Sequence, residues 1–201
     1  MIHDLFAEYE NVRIRPLVHN DIEFLRILRN DTERTKYLQN IGEITSEMQE
    51  KWFERYLIDR DIISWSIDEI GELNRFVGSV SLYNFRGDKC EVGKIIIDPQ
   101  AGGKGIGPKA ESMCMYLGYR YYGIKTVDGI VNIENQFSIR HTLKAGLKMM
   151  IDKDTNEPVI KKDEYGLNYY FEVGISEFMA EHNHYQFMKV GQWSGEFLKQ
   201  F

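Results

Sequence analysis

The stretch that most constrains the fold of this chain is a β-branched run followed by a turn and a glycine-rich loop, over residues 93–108. The isoleucines of Ile95–Ile97 favour a buried strand. Asp98-Pro99 ends that strand, because proline offers no N–H to a β-ladder. Four glycines follow within 102–107, and Pro108 then suits the first turn of a helix. The stretch therefore predicts a strand, a loop and a helix in succession.

A glycine-rich loop at the start of a helix is suited to binding an anion. Successive backbone N–H groups there point at the ligand, and glycines let the backbone approach it closely. We therefore expect this loop to bind a diphosphate, the alternative being a flexible loop that binds nothing. The P-loop pattern does not fit, because Pro108 and Lys109 stand where lysine and Ser/Thr are required.

The dinucleotide-binding pattern G-x-G-x-x-A is an alternative interpretation of the same loop. Gly105, Gly107 and Ala110 match it, and Asp128 lies downstream. Three features oppose it. Residues 98–101 separate the glycines from the strand, Asp128 falls inside a predicted strand rather than at its end, and the first half of the chain shows no repeated βαβ units. A nicotinamide-dependent enzyme is therefore the less favoured hypothesis.

A third pattern, Q/R-x-x-G-x-G/A, matches the loop from Gly102 to Gly107, except that Gly102 replaces the Gln/Arg. The spacing Asn135-x-x-Ser138, followed by Gly146-Leu147, matches a second motif in which Leu147 replaces phenylalanine. With these motifs the chain resembles the GCN5-related N-acetyltransferase (GNAT) family over roughly residues 11–175. It is most similar to the branch that contains ribosomal-protein N-terminal and amino-sugar acetyltransferases.

The resemblance implies both a fold and a cosubstrate. The fold is α/β (α+β): a mixed, mostly antiparallel central sheet with a splayed parallel strand pair, flanked by helices. The cosubstrate is acetyl-CoA, the acyl donor, whose pantetheine fits between the splayed strands. The residues that the resemblance implies for its binding are Ile95, Ile96, Ile97, Gly102, Gly103, Lys104, Gly105, Ile106, Gly107, Asn135 and Ser138.

Acetyl transfer to an amine needs a group that takes the amine proton and a donor for the thioester carbonyl. The expected donor is a backbone N–H near Ile96 or Ile97. Glu91 is the candidate base, because the resembled branch carries an acidic residue in a matching E-x-G segment; the alternative is an exposed strand carboxylate. Ser138 is the second candidate at the reaction centre. Thr142 stands where many members have a proton-donating tyrosine. Lesser candidates are Glu72, His141 and Asp128, whereas Asp98 is interpreted as structural.

The expected acceptor is a primary amine of a small molecule or of a protein N-terminus. An amino sugar (free or nucleotide-linked), a polyamine and an aminoglycoside all stay open. Tyr37, Trp52 and Tyr83 suit a sugar ring, and they suit a hydrophobic core equally well. The alternative function is a non-catalytic acyl-CoA-binding or sensing domain, which the departures at Gly102, Leu147 and Thr142 favour.

Hydrophobic periodicity and turn residues predict the remaining elements. Before the loop we expect a strand over 11–17, a helix over 21–29 capped by Asn20, a helix over 47–59 capped by Thr45 or Ser46, and an antiparallel meander over 62–98 with a bulge at Gly78. After it we expect a parallel strand over 126–131, a helix over 135–145 closed by Gly146, and strands over 147–151 and 169–173.

The acetyltransferase domain is expected over 1–175, with a C-terminal extension over 176–201 that forms a helix. That helix would pack on the domain or on a second subunit, so a homodimer is possible. His182 and His184 could be metal ligands, but no third ligand is near in sequence, and no metal site is predicted.

Composition excludes several classes of protein. A chain of 201 residues with 43% hydrophobic residues can bury a substantial core and is not disordered. Its net charge of −6 argues against nucleic acid as a partner. Its two cysteines form no disulfide or metal pattern. With no signal peptide or membrane-spanning run evident, a cytoplasmic protein is expected.

Overall fold

A computed structural model describes residues 2–37, 42–163 and 166–194. Its strands are β1 (Leu5–Tyr9), β2 (Val12–Pro16), β3 (Ile62–Glu69), β4 (Arg75–Arg86), β5 (Lys89–Ile97), β6 (Thr126–Asn132), β7 (Lys148–Met149), β8 (Ile160–Asp163), β9 (Gly166–Gly174) and β10 (Lys189–Gln192). Its helices are α1 (Ile22–Arg29), α2 (Thr32–Thr35), α3 (Ser46–Ile58), α4 (Ile106–Tyr121), α5 (Gln136–Ala145) and α6 (Ile175–Glu181).

The strands form one mixed sheet in the order β10-β1-β2-β3-β4-β5-β6-β9-β7, with β8 also paired to β9. All neighbouring strands are antiparallel except β5 and β6, which are parallel. That parallel pair is joined by the crossover helix α4, as parallel strands require. The expected fold class, including the parallel pair, is confirmed.

Each face of the sheet carries its own hydrophobic cluster. On one face α4 packs its apolar side on the strands, around Trp65, Met113 and Phe171. On the other face α1 and α3 form a smaller cluster that includes Phe53 and Ile96. The cleft described below lies beside this second cluster.

Several predicted boundaries are confirmed in detail. Thr45 caps α3, because its hydroxyl oxygen accepts a hydrogen bond from the Met48 N–H at 3.2 Å. Asn135 caps α5, and Gly146 ends that helix in the left-handed conformation at φ +107°. Pro108 lies in the first turn of α4, whose first residue is Ile106.

Other predictions of local structure were wrong. Asn20 does not cap the first helix, because a 3₁₀ turn over His19–Asp21 precedes α1. The predicted strand over 147–151 is only two residues long as β7. Three strands were not predicted: β1, β8 and β10. Near Gly78 the extra residue is Val77, since Ile67 pairs with Gly78 and Asp68 with Phe76.

The C-terminal stretch forms both a helix and a strand. Within α6, Phe178 is fully buried against the main cluster. Farther on, β10 pairs with β1 and extends the sheet at that edge. A boundary at residue 175 and a homodimer both stay predictions. Among the described residues, no helix is long and apolar enough to cross a membrane.

Candidate active site

The central cleft begins where β5 and β6 separate. Only three residue pairs join these strands, Lys89–Thr126, Cys90–Val127 and Glu91–Asp128. Beyond Glu91, residues 92–97 and 129–132 line opposite sides of a cleft of about 1680 Å³. The strand edges that face this cleft are therefore not paired with each other, and Glu91 lies at the fork.

A one-residue bulge shapes β5 at the fork. Ser81 pairs with Gly93 and Ser79 with Ile96, so β5 has one residue more than β4 across this interval. Lys94 lies in the bulge in the left-handed conformation, at φ +48°. Beyond it the strand continues along the cleft, with Ile95, Ile96 and Ile97 all in the lining.

The glycine loop lies at the N-terminus of α4, at one end of the cleft. Gly103 and Gly105 have φ values of +76° and +71°, and a Cβ added at either would meet no atom within 4 Å. Among the described residues, no acceptor forms a hydrogen bond with the N–H groups of 103–107. The loop therefore presents free N–H groups in front of a helix, which suits a diphosphate.

The structure brings most predicted cofactor residues to the cleft and leaves one outside. The isoleucines of β5, the loop glycines, Ile106, Asn135 and Ser138 all line it. The side-chain oxygen of Asn135 caps α5 by accepting from the Ser138 N–H at 3.0 Å. Lys104 does not line the cleft, and its Nζ lies 2.6 Å from Glu72 Oε2.

Glu91 lines the cleft, and neighbouring donors hold its carboxylate. Asn84 Nδ2 donates to Oε1, and Arg86 lies 3.8 Å from the same oxygen. Tyr83, its partner across the β4–β5 ladder, also contacts it. Burial and the charge of Glu91 raise the pKa of the Tyr83 hydroxyl, which stays protonated and able to donate.

The lesser base candidates differ in position. Asp128 is buried and held by Arg86 at 2.6 Å and by Lys89 at 3.1 Å. His141 lines the cleft and lies 2.6 Å from Glu111. Asp98 accepts from the Gln100 N–H at 2.9 Å and pairs with Arg75, as expected of a structural residue.

The aromatic residues predicted for the acceptor also line the cleft. Tyr37 donates its hydroxyl to the Glu134 carbonyl at 3.3 Å. Trp52 stacks on Tyr56 with ring centroids 5.8 Å apart. Tyr83 and Trp52 pack against the second hydrophobic cluster as well. Trp52 and Tyr83 therefore pack against the hydrophobic core and also line the cleft.

The charged residues of the cleft that the sequence interpretation missed include Glu111, Arg29 and Lys94. Glu111 could have been noticed from the sequence, because it is the one carboxylate in the helix that follows the glycine loop. No sequence pattern indicated Lys94, because its position in the cleft depends on the β5 bulge. His182, considered for metal binding, stacks on Phe178 instead, with ring centroids 4.4 Å apart.

A splayed parallel pair beside a helix-capping glycine loop defines the acyl-CoA N-acyltransferase class of fold. A family model described as an acetyltransferase (GNAT) domain matches residues 11–148. The chain therefore belongs to the GNAT acetyltransferase family. It is an N-acetyltransferase that uses acetyl-CoA, which supplies the activated acetyl thioester.

Solved structures share this fold at low sequence identity. Spermidine N-acetyltransferase from Vibrio cholerae, solved with CoA and spermine, is 16% identical, with a TM-score of 0.67 over 84% of this chain and 98% of that one. The nucleotide-linked sugar GNAT FdhC is 18% identical, with a TM-score of 0.69 over 92% and 98%. An aminoglycoside acetyltransferase with coenzyme A is 14% identical, with a TM-score of 0.68 over 86% and 99%. No curated protein sequence matches the chain.

Proposed function

We propose that this protein transfers the acetyl group of acetyl-CoA to a primary amine of a small molecule or a protein N-terminus, by direct attack of the amine nitrogen on the thioester carbonyl. The observation that carries the proposal is the position of Glu91 at the fork between β5 and β6. The fork leads to the glycine loop along one continuous cleft.

Each part of the cleft has a role in this proposal. The free N–H groups of residues 103–107 hold the diphosphate of acetyl-CoA. The unpaired edges of β5 and β6 receive its pantetheine. Glu91 takes the proton released by the attacking amine, directly or through a water.

The acceptor end of the cleft lies between α1, α3 and the fork, and includes Trp52 and Tyr83. The solved structures act on, or bind, a polyamine, a nucleotide-linked sugar and an aminoglycoside. Polyamines, aminoglycosides and nucleotide-linked amino sugars therefore belong in the first set of acceptors to be tested.

The decisive experiment measures release of the CoA thiol when the purified protein is mixed with acetyl-CoA and each amine in turn. Acceptor-dependent release at a rate above that of the protein-free mixture supports the proposal. Stabilisation by acetyl-CoA without any release across polyamines, amino sugars, aminoglycosides and peptide N-termini would refute it.

A non-catalytic acyl-CoA-binding or sensing domain is the second candidate function. Two observations favour it: Glu91 is already held by Asn84 and Arg86, and Thr142 stands buried where many members have tyrosine. This candidate predicts tight binding of acetyl-CoA with no turnover in the same assay.

A further inference from the structure

Among the cations that line the cleft are Arg29 and Lys94, which the proposed chemistry does not use. Arg29 is the last residue of α1, and Lys94 lies in the β5 bulge. Both line the cleft, and Lys94 lies beside Tyr83. What these two cations bind is a separate question from what binds the loop.

Arg29 is half-buried, and no carboxylate of the described residues forms an ion pair with it. Burial lowers its pKa, and no neighbouring carboxylate counteracts that effect. Two arginines of the same part of the chain differ: Arg26 pairs with Glu23 at 2.7 Å, and Arg15 pairs with Asp21 at 2.7 Å.

Lys94 points its ammonium group over the Tyr83 ring, 4.5 Å from the ring centroid. Burial and then the charge of Arg29 lower the pKa of Lys94, and helix α1, which ends at Arg29, packs against β5, which carries Lys94. Asp59, Asp61 and Glu91 act in the opposite direction, but none pairs with Lys94.

Two neighbouring cations that form no ion pair with a carboxylate disfavour the free protein, because like charges repel. An anion bound between them would offset both the repulsion and the lost hydration. A cationic ligand such as a polyamine would increase the repulsion.

We propose that the acceptor amine carries an anionic group, a phosphate or a carboxylate, that binds between Arg29 and Lys94. The inference rests on the proposed function, because it names the substrate class of the same cleft. The favoured class is a phosphorylated or nucleotide-linked amino sugar. The anion engages the guanidinium through charge-assisted hydrogen bonds, Trp52 and Tyr83 flank the sugar ring, and the amine lies towards Glu91.

The kinetic test compares glucosamine, glucosamine 6-phosphate, a UDP-linked amino sugar, glutamate and spermidine as acceptors. We expect kcat/KM for at least one anionic amine to exceed that for glucosamine and spermidine about tenfold or more. The monophosphate, the nucleotide-linked sugar and glutamate then distinguish the source of the anion. Equal or faster turnover of the neutral or polycationic amines would overturn the inference.

The variants Arg29→Gln and Lys94→Gln should each lower the preference for the anionic acceptor, measured as its kcat/KM relative to that of glucosamine, about tenfold. The matched control is Lys125→Gln, because Lys125 is exposed, pairs with Asp88 and lies outside the cleft. An unchanged preference in both cleft variants would overturn the inference.

A binding test keeps this inference separate from the catalytic proposal. With CoA saturating the glycine loop, glucosamine 6-phosphate should stabilise the wild-type protein thermally and fail to stabilise the Arg29→Gln variant. If no amine is acetylated, the catalytic proposal fails, while this measurement still decides the anion site. Equal stabilisation of wild type and variant would show that the anion binds elsewhere.

Discussion

His141 and Glu111 form a buried pair under the glycine loop, with His141 Nε2 2.6 Å from Glu111 Oε2. Neither atom has a hydrogen-bond partner of good geometry among the described residues, so this short ion-pair contact is what faces each of these buried atoms. The ring also lies directly below Gly107: a Cβ added there would come within 2.6 Å of His141 Cε1. The position of the His141 ring therefore limits how close the backbone at Gly107 can lie to helix α5.

The variant Gly107→Ala is expected to weaken acetyl-CoA binding about tenfold, because the loop must shift to relieve the contact with the ring. Isothermal titration with acetyl-CoA measures this loss. The matched background is Glu111→Leu with His141→Ala, which removes both members of the pair. In that double variant, adding Gly107→Ala should weaken acetyl-CoA binding much less than it does in the wild type. An equal loss of affinity in both would show that the His141 ring is not what displaces the loop.

The variant Glu91→Gln is expected to lower kcat by roughly 10²–10⁴-fold, because a general base commonly contributes that much. The dissociation constant of acetyl-CoA should hardly change, since Glu91 lies at the fork and not at the glycine loop. Steady-state CoA release and direct binding measure the two effects. Glu177→Gln, at an exposed position of α6, is the control. A kcat within threefold of wild type would remove Glu91 from the mechanism.

The variant Gly78→Ala is expected to destabilise the fold by about 2–4 kcal/mol. A Cβ at Gly78 would lie 2.0 Å from the Ile96 carbonyl oxygen, so β4 and β5 would have to move apart beside the cleft. Gly174→Ala is the matched control, since its nearest atom, the Lys125 carbonyl oxygen, lies 3.9 Å away. Urea denaturation followed by fluorescence measures both. Equal losses of unfolding free energy in the two variants would show that the contact with the Ile96 carbonyl is not the cause.

Stability is expected to fall on acidification because of His3. Burial lowers the pKa of His3 from 6.5 to about 4, and its Nε2 lies 3.0 Å from the Ser64 carbonyl oxygen. Between these pKa values the unfolded chain binds the proton and the folded chain does not. The free energy of unfolding therefore decreases as the pH falls from 6.5 to 4, by about 3 kcal/mol in total.

Urea denaturation of the wild type and of His3→Phe across this pH range tests the prediction. The variant should lose much of the pH dependence, because it has no group to protonate at this position. The control His19→Gln should keep it, since the His19 side chain is half exposed on the surface. A pH dependence as steep in His3→Phe as in the wild type would exclude His3 as its source.

Local chemistry predicted the stretch from β5 to α4 well. Isoleucines, an Asp-Pro turn, glycines and a proline each favour one conformation, and all of them agree. The capping residues Thr45 and Asn135 were readable for the same reason, because a side-chain oxygen satisfies a nearby N–H.

Features that depend on contacts between residues far apart in sequence could not be predicted from the sequence. Strands β1 and β10 are far apart in sequence, and each is stabilised by the other as a neighbour in the sheet. The pair of Glu111 and His141 joins two helices, and no periodicity in either helix indicates its partner. The cations Arg29 and Lys94 meet only because α1 packs near the β5 bulge.

The β5 bulge has a consequence for how this protein tolerates change. Before it Cys90 and Val92 face the main cluster, and after it Ile95 and Ile97 do so while Ile96 faces the other way. Because of the extra residue at Lys94, even-numbered residues face the main cluster before the bulge and odd-numbered residues face it after the bulge. Deleting that single residue would move the side chain of each of the three isoleucines to the opposite face of the sheet. Replacing its side chain would leave their orientation unchanged. In this strand, the number of residues is more tightly constrained than their identity.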